Sequence, residues 1–324
     1  MPVSKNASNK AILRPILVSY LKRFINESSE RSFIRQQTRK TTTVSSLAFL
    51  FMISGMVHLS AQKAGNIVSV KIVEGNTIYG KLISSNDSII SLETAELGLL
   101  SIRRNRIKKM RPAILRSDGS YWFESPNPTR NLLAPTGFGL RKGAANYQNT
   151  MLFFHTINYG ITDHISIAGG FELASLLFSS GPIPGIIISP KISTASDKSI
   201  NVAAGVTIFR HRDNSLNATL IYTATSFGDR DNNFTMGVSF GNIGGRWEKQ
   251  PMITLSGMGR LSKKFSLVTE NWVFLDTDIS GGEILIFSFS GRYLAPSITV
   301  DFGLFLSFGN VRGPWLGVAL PFGG

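Results

Sequence analysis

Six ionisable residues fall on one parity of a series of alternating stretches: Glu172, Lys191, Arg260, Glu270, Arg292 and Asp301. Acids and bases gathered on one side of strands can form a polar constriction that screens solutes by charge. They can equally pair into an internal salt-bridge network, because an unpaired buried charge is costly. Glu270-Asn271-Trp272 is the stretch to mutate first. A second set is RRNRIKKMR, with Arg103, Arg104, Arg106, Lys108, Lys109 and Arg111. Its chemistry is anion binding, to nucleic acid or phosphate-bearing headgroups, or else charge that guards an exposed strand edge.

Other motifs fail on context. Gly237-Val238-Ser239-Phe240-Gly241 has the G-x-S-x-G spacing of a hydrolase elbow, yet it lies inside an alternating strand rather than at a strand-to-helix turn. His155 falls on the outer parity of its strand, as a lipid hydrolase would require, but no Ser adjoins it in the sequence. His58, His155, His164 and His211 show no ligand spacing, and Gly137-Phe138-Gly139 lacks the other features of a phosphate loop. No catalytic residue, metal ligand or cofactor is therefore predicted, and the chain is not read as an enzyme.

The formal net charge is +14. Nine Lys or Arg against two Glu in the first forty residues account for +7 of it. The excess is thus partly that of a leader, which argues against nucleic acid as a partner. With no Cys, disulfides and thiolate metal sites are excluded. Residues 1–61 read as a basic extension plus a secretory signal: Arg39 and Lys40, an apolar core from Val44 to Met56, and a cut after Ala61. The competing reading is an organellar transit peptide, with a basic amphipathic helix over Ala11 to Phe24.

Residues 62–112 read as a small β-module. VSVKIV, TIYGKLIS, SIISLET and LLSIRR are short β-branched runs separated by Gly-Asn and Asn-Asp turns, with a last short strand at Ile107 to Met110. The pattern resembles Sm-like or SH3-like barrels, with Gly80 permitting a sharp bend. Residues 113–133, with Pro126 and Pro128, read as a linker.

From 134 to 324 a hairpin repeat takes over. Strands open at Ile165, Ile200, Phe234, Phe265 and Ile298, each after a tight polar turn. Returning strands lie between them, and Pro135–Arg141 with Gln148–Ile161 is expected to make the first hairpin. The total is about twelve antiparallel strands, an even number as in bacterial outer-membrane barrels. In ITVDFGLFLSF one face is Ile298, Val300, Phe302, Leu304, Leu306 and Phe308, and the other is small and polar apart from Phe305. A soluble barrel would carry Lys, Glu and Asp on its water-facing side. Here the non-apolar face is mostly Gly, Ser, Thr and Asn, as in Thr235, Gly237, Ser239 and Gly241. Lipid outside and a crowded lumen inside fit that distribution. Phe234, Phe240, Phe265, Tyr293, Phe302, Phe308 and Phe322 fall near strand ends, where aromatic girdles belong.

The stretches NPTRNLLAPTGFGLRKG, YQNTMLFFHTINYGITDHISIAGGFE and TENWVF resemble uncharacterised outer-membrane β-barrel proteins of Bacteroidota-type bacteria. The resemblance implies a location rather than a catalytic mechanism. The expected protein is all-β: a transmembrane barrel of about 12 strands behind a periplasmic β-module. Its expected partners are outer-membrane lipid and, through the module, another envelope protein. The expected role is a narrow passive conduit, or alternatively a scaffolding barrel.

Overall fold

A computed structural model describes residues 66–116, 118–174, 184–194, 199–211, 217–274, 284–307 and 311–322. The expected signal segment, Arg212, Asp213 and Phe308 lie outside the described residues. The chain first forms an antiparallel sheet of β1 Ile67–Ile72, β2 Thr77–Ser85, β3 Ile89–Thr94, β4 Gly98–Arg103, β5 Ile107–Leu115 and β6 Tyr121–Phe123. The spatial order is β4-β3-β2-β1-β5-β6. The five expected strands are present, but β5 runs on to Leu115 and β6 is a sixth strand. No ladder among the described residues joins β4 to β5, so the sheet is not closed by hydrogen bonds. Val68, Val70, Leu82, Ile90, Leu92, Ile102 and Met110 form its core, one residue in two along each strand.

The second sheet is the barrel. Its wall strands are β7 Ala145–Thr150, β8 Phe154–Gly160, β9 Ile165–Glu172, β10 Gly185–Ser193, β11 Ile200–Arg210, β12 Ala218–Gly228 and β13 Asn233–Ile243. They continue, after the two-residue β14 Arg246–Trp247, with β15 Met252–Ser262, β16 Phe265–Phe274, β17 Ile284–Ala295, β18 Ile298–Ser307 and β19 Val311–Phe322. Every wall strand pairs antiparallel with its neighbour, and β19 closes on β7 from Gly317↔Thr150 to Phe322↔Ala145. Twelve strands therefore make a closed wall with no free edge, which a sheet in hydrocarbon requires.

The period of two decides which side each residue takes. Along β18, Thr299, Asp301 and Phe305 are buried, while Phe302, Leu304 and Leu306 stand outside. Ile186, Ile192, Ile200, Met236, Val238 and Phe289 continue that apolar exterior around the wall. A water-soluble monomer does not expose so continuous an apolar belt. This is the wall of a transmembrane β-barrel.

The main departure from expectation is at the entry to the barrel. Residues 113–133 are not a free linker, and Pro135–Arg141 is not a wall strand. The first hairpin is β7–β8, joined by the tight turn at Met151 and Leu152, both at positive φ (53° and 65°). Residues 124–143 instead enter the lumen as a strap. Alternation over Thr136 to Leu140 misleads because Phe138 and Leu140 are buried against the inside of the wall rather than in lipid. Gly137 marks the closest approach: a Cβ there would collide with the Asn201 carbonyl on β11.

Candidate functional site

The six lumen-facing residues all point inward, and each is buried. Glu270, on the inner parity of β16, receives three consecutive backbone N–H groups of the strap. Leu132 and Ala134 each donate to Oε2 at 2.9 Å, and Leu133 donates to both oxygens at 3.1 Å. The Trp272 indole N–H donates to Oε1 at 2.9 Å, so the Glu270–Trp272 pair acts as one unit. Successive backbone N–H groups converging on one carboxylate bind it as backbone amides bind other anions, with the wall supplying the anion.

Lys191 on β10 does the complementary work. Its Nζ donates to the carbonyls of Thr129 (3.2 Å), Thr136 (2.8 Å) and Phe138 (2.7 Å). Arg292 and Asp301 face each other across the β17–β18 ladder and pair at 2.6 Å. Arg292 also donates to the Asn131 carbonyl and contacts Met258 Sδ. Leu132 packs in a small apolar core with Met258, Val268, Phe305 and Trp315. The inward Phe305 is thus part of the seat for the strap.

Arg260 lies at the mouth nearer the first sheet. It pairs with Asp231 at 2.7 Å and donates to the carbonyls of Phe123 and Lys263, each at 2.7 Å. Its guanidinium also lies 5.0 Å from the Trp122 ring centre and 4.6 Å from that of Phe123. Glu124, the first residue of the strap, binds Arg141 at 2.6 Å and stands 3.7 Å from Arg230. Burial pushes the Glu124 carboxyl up, but Arg230 and Arg141 outweigh it and hold the group below its ordinary value. Tyr121 stacks on Tyr79 at 5.3 Å, and Lys263 lies over the Tyr79 ring, so β6 joins the sheet to the mouth.

Four of the six lumen residues, Glu270, Lys191, Arg292 and, through Arg292, Asp301, thus hold the strap, and Arg260 holds Phe123 just before it. Glu172 sits further out on β9, facing Phe154 across the ladder. Sequence reasoning missed Glu124, Arg130, Asp231 and the backbone of the strap itself. The signal was there: Leu132 and Leu133 are poor choices for a solvated linker.

The basic set does not gather into one patch. Arg104 is tied back to the Asn86 carbonyl and Ser85 Oγ, and Arg106 stands 4.0 Å from Glu74 at the surface. Lys109 and Arg111 lie beside Lys71 and Ser69 in register, on the face opposite Val70 and Met110. Burial, joined for Lys109 by the charge of Arg111, lowers the pKa of both. Arg103 and Lys108 are exposed. Ser239, of the G-x-S-x-G sequence, is an inward residue of β13 donating to the Met252 carbonyl at 3.3 Å. His155 is on the outer face, with Nδ1 2.7 Å from the Tyr147 hydroxyl and its ring stacked on Phe171.

No family model matches the chain, and no curated protein matches it. Among solved structures it is similar to KdgM porin in complex with disordered oligogalacturonate, at 10% identity over 56% of this chain and 98% of that one, with a TM-score of 0.42. It is also similar to NanC porin, at 11% identity over 55% and 98%, with a TM-score of 0.37. A third is OmpT with loop L8 deleted, an outer membrane protein of Vibrio cholerae, at 10% identity over 79% and 96%, with a TM-score of 0.32.

Proposed function

We propose that this protein is an outer-membrane barrel that acts as a narrow, strap-restricted conduit, with its N-terminal sheet in the periplasm. The observation that supports it most is the strap itself. The wall supplies Glu270, Lys191 and Arg292 to hold the strap through its backbone. A barrel of eight strands fills with its own side chains, whereas about sixteen leave an open channel. Twelve is intermediate, and the strap would share the lumen with whatever passes. An even strand number returns both ends of the wall to one side, where the first sheet also sits.

Single-channel recording on the reconstituted full chain tests this. The intact protein is expected to conduct weakly, and Glu270→Ala to raise both conductance and open time by freeing the strap. Silence from both proteins, each shown to be folded by heat-modifiable gel mobility, would remove the conduit. The scaffolding reading rests on a different feature, the Lys71–Lys109–Arg111 stripe, which suits anionic headgroups or an acidic envelope partner.

A further inference from the structure

The strap does not fill the lumen evenly. Beside it, against β8 to β12, lies a cavity of about 330 Å³. Its outer walls are apolar, formed by Phe154, Ala168, Ile187, Phe209 and Leu220. Arg130 of the strap and Lys191 of β10 also line it. The two cations differ in how they are engaged. Lys191 spends its three donors on strap carbonyls. Among the described residues, Arg130 makes only long bonds, to Thr150 Oγ1 at 3.3 Å and Thr156 Oγ1 at 3.5 Å. Neither has an ion-pair partner among the described residues. Glu172 lines the cavity as well but has bonding partners of its own.

We propose that this cavity is a binding site for a compact carboxylate with an apolar body, its headgroup on Arg130 and its body among Phe154, Ile187, Phe209 and Leu220. The volume falls at the lower end of small-ligand pockets, about 300–1,000 Å³. A guanidinium engaged only by hydroxyls has donors left for a carboxylate, which it can bind through two parallel N–H groups. Walls that are mainly apolar, with Arg130 as the lining cation that has donors to spare, select against sugars and other fully polar solutes. The site stands whether or not solutes cross the barrel, because its readout is binding rather than conductance.

The test uses the full chain in phospholipid nanodiscs, with 2-naphthoate as the probe and empty discs as the reference. Calorimetry should show one saturable site, with 2-naphthylmethanol, the neutral analogue, binding at least tenfold more weakly. Arg130→Gln should weaken naphthoate by about tenfold, the scale of one lost charge-assisted hydrogen bond. Ala168→Trp fills the cavity from β9 without touching a charge and should abolish binding. Heat-modifiable mobility reports folding of each variant, and either variant alone suffices. No saturable site in the folded wild type, equal binding of the alcohol, or unchanged affinity in a folded variant would each overturn the assignment.

Discussion

Glu270 shows how much one side chain can determine. Its carboxylate is fully buried and accepts four N–H groups, three of them from the strap backbone. Removing it leaves those donors buried without an acceptor, which costs about 1–3 kcal/mol apiece when nothing replaces it. Glu270→Ala should therefore destabilise the folded barrel by at least about 3 kcal/mol, measured as a fall in the urea midpoint of its heat-modifiable band. Glu124 gives a pH dependence of definite sign. Its folded pKa is depressed, so its contribution is fully present above the unfolded value of about 4.3 and disappears as pH falls through the folded value. Hydrogen exchange at the mouth should accelerate at acid pH below that value. In Glu124→Gln the same step should be missing.

At the scale of elements, strands are legible and the strap is not. A wall strand declares itself through a period of two with contrasting faces, so β18 and β13 follow their sequence patterns on both faces. Lumen-facing charges are legible for the same reason, since parity alone places Glu270 and Arg292 inside. The strap alternates only over Thr136 to Leu140, and there the alternation points to a wall strand that does not form. Its hydrogen bonds are to distant wall residues, such as Gly137 to Ser226 Oγ and Asn131 to Ser256 Oγ, and such long-range pairing leaves no local trace. What the sequence does hold is composition: the stretch expected to be a linker ends in the apolar pair Leu132-Leu133. Gly137→Val tests the docked position. With Asn201 in the way of any side chain, the strap must withdraw there, and trypsin should then cut at Arg130 or Arg141 in folded protein that resists cleavage as wild type.

The whole molecule is organised by two solvents. The first sheet has an apolar core and a charged exterior, which is the arrangement for water. The barrel reverses it, with Arg292, Asp301 and Glu270 inside and Leu304, Ile188 and Phe289 outside. That reversal predicts a stability effect that depends on depth. Leu304 is mid-strand on the outer face and 59% exposed. If water covered it, Leu304→Arg would change stability by no more than about 0.5 kcal/mol, as surface substitutions do. If hydrocarbon covers it, the same substitution should cost about 2–4 kcal/mol, while Ile298→Arg at the strand's end costs about 0–1 kcal/mol. Equilibrium unfolding in lipid vesicles should separate the two positions by that margin. Equal and small effects at both would mean that the outer face of the barrel does not meet the interior of a bilayer.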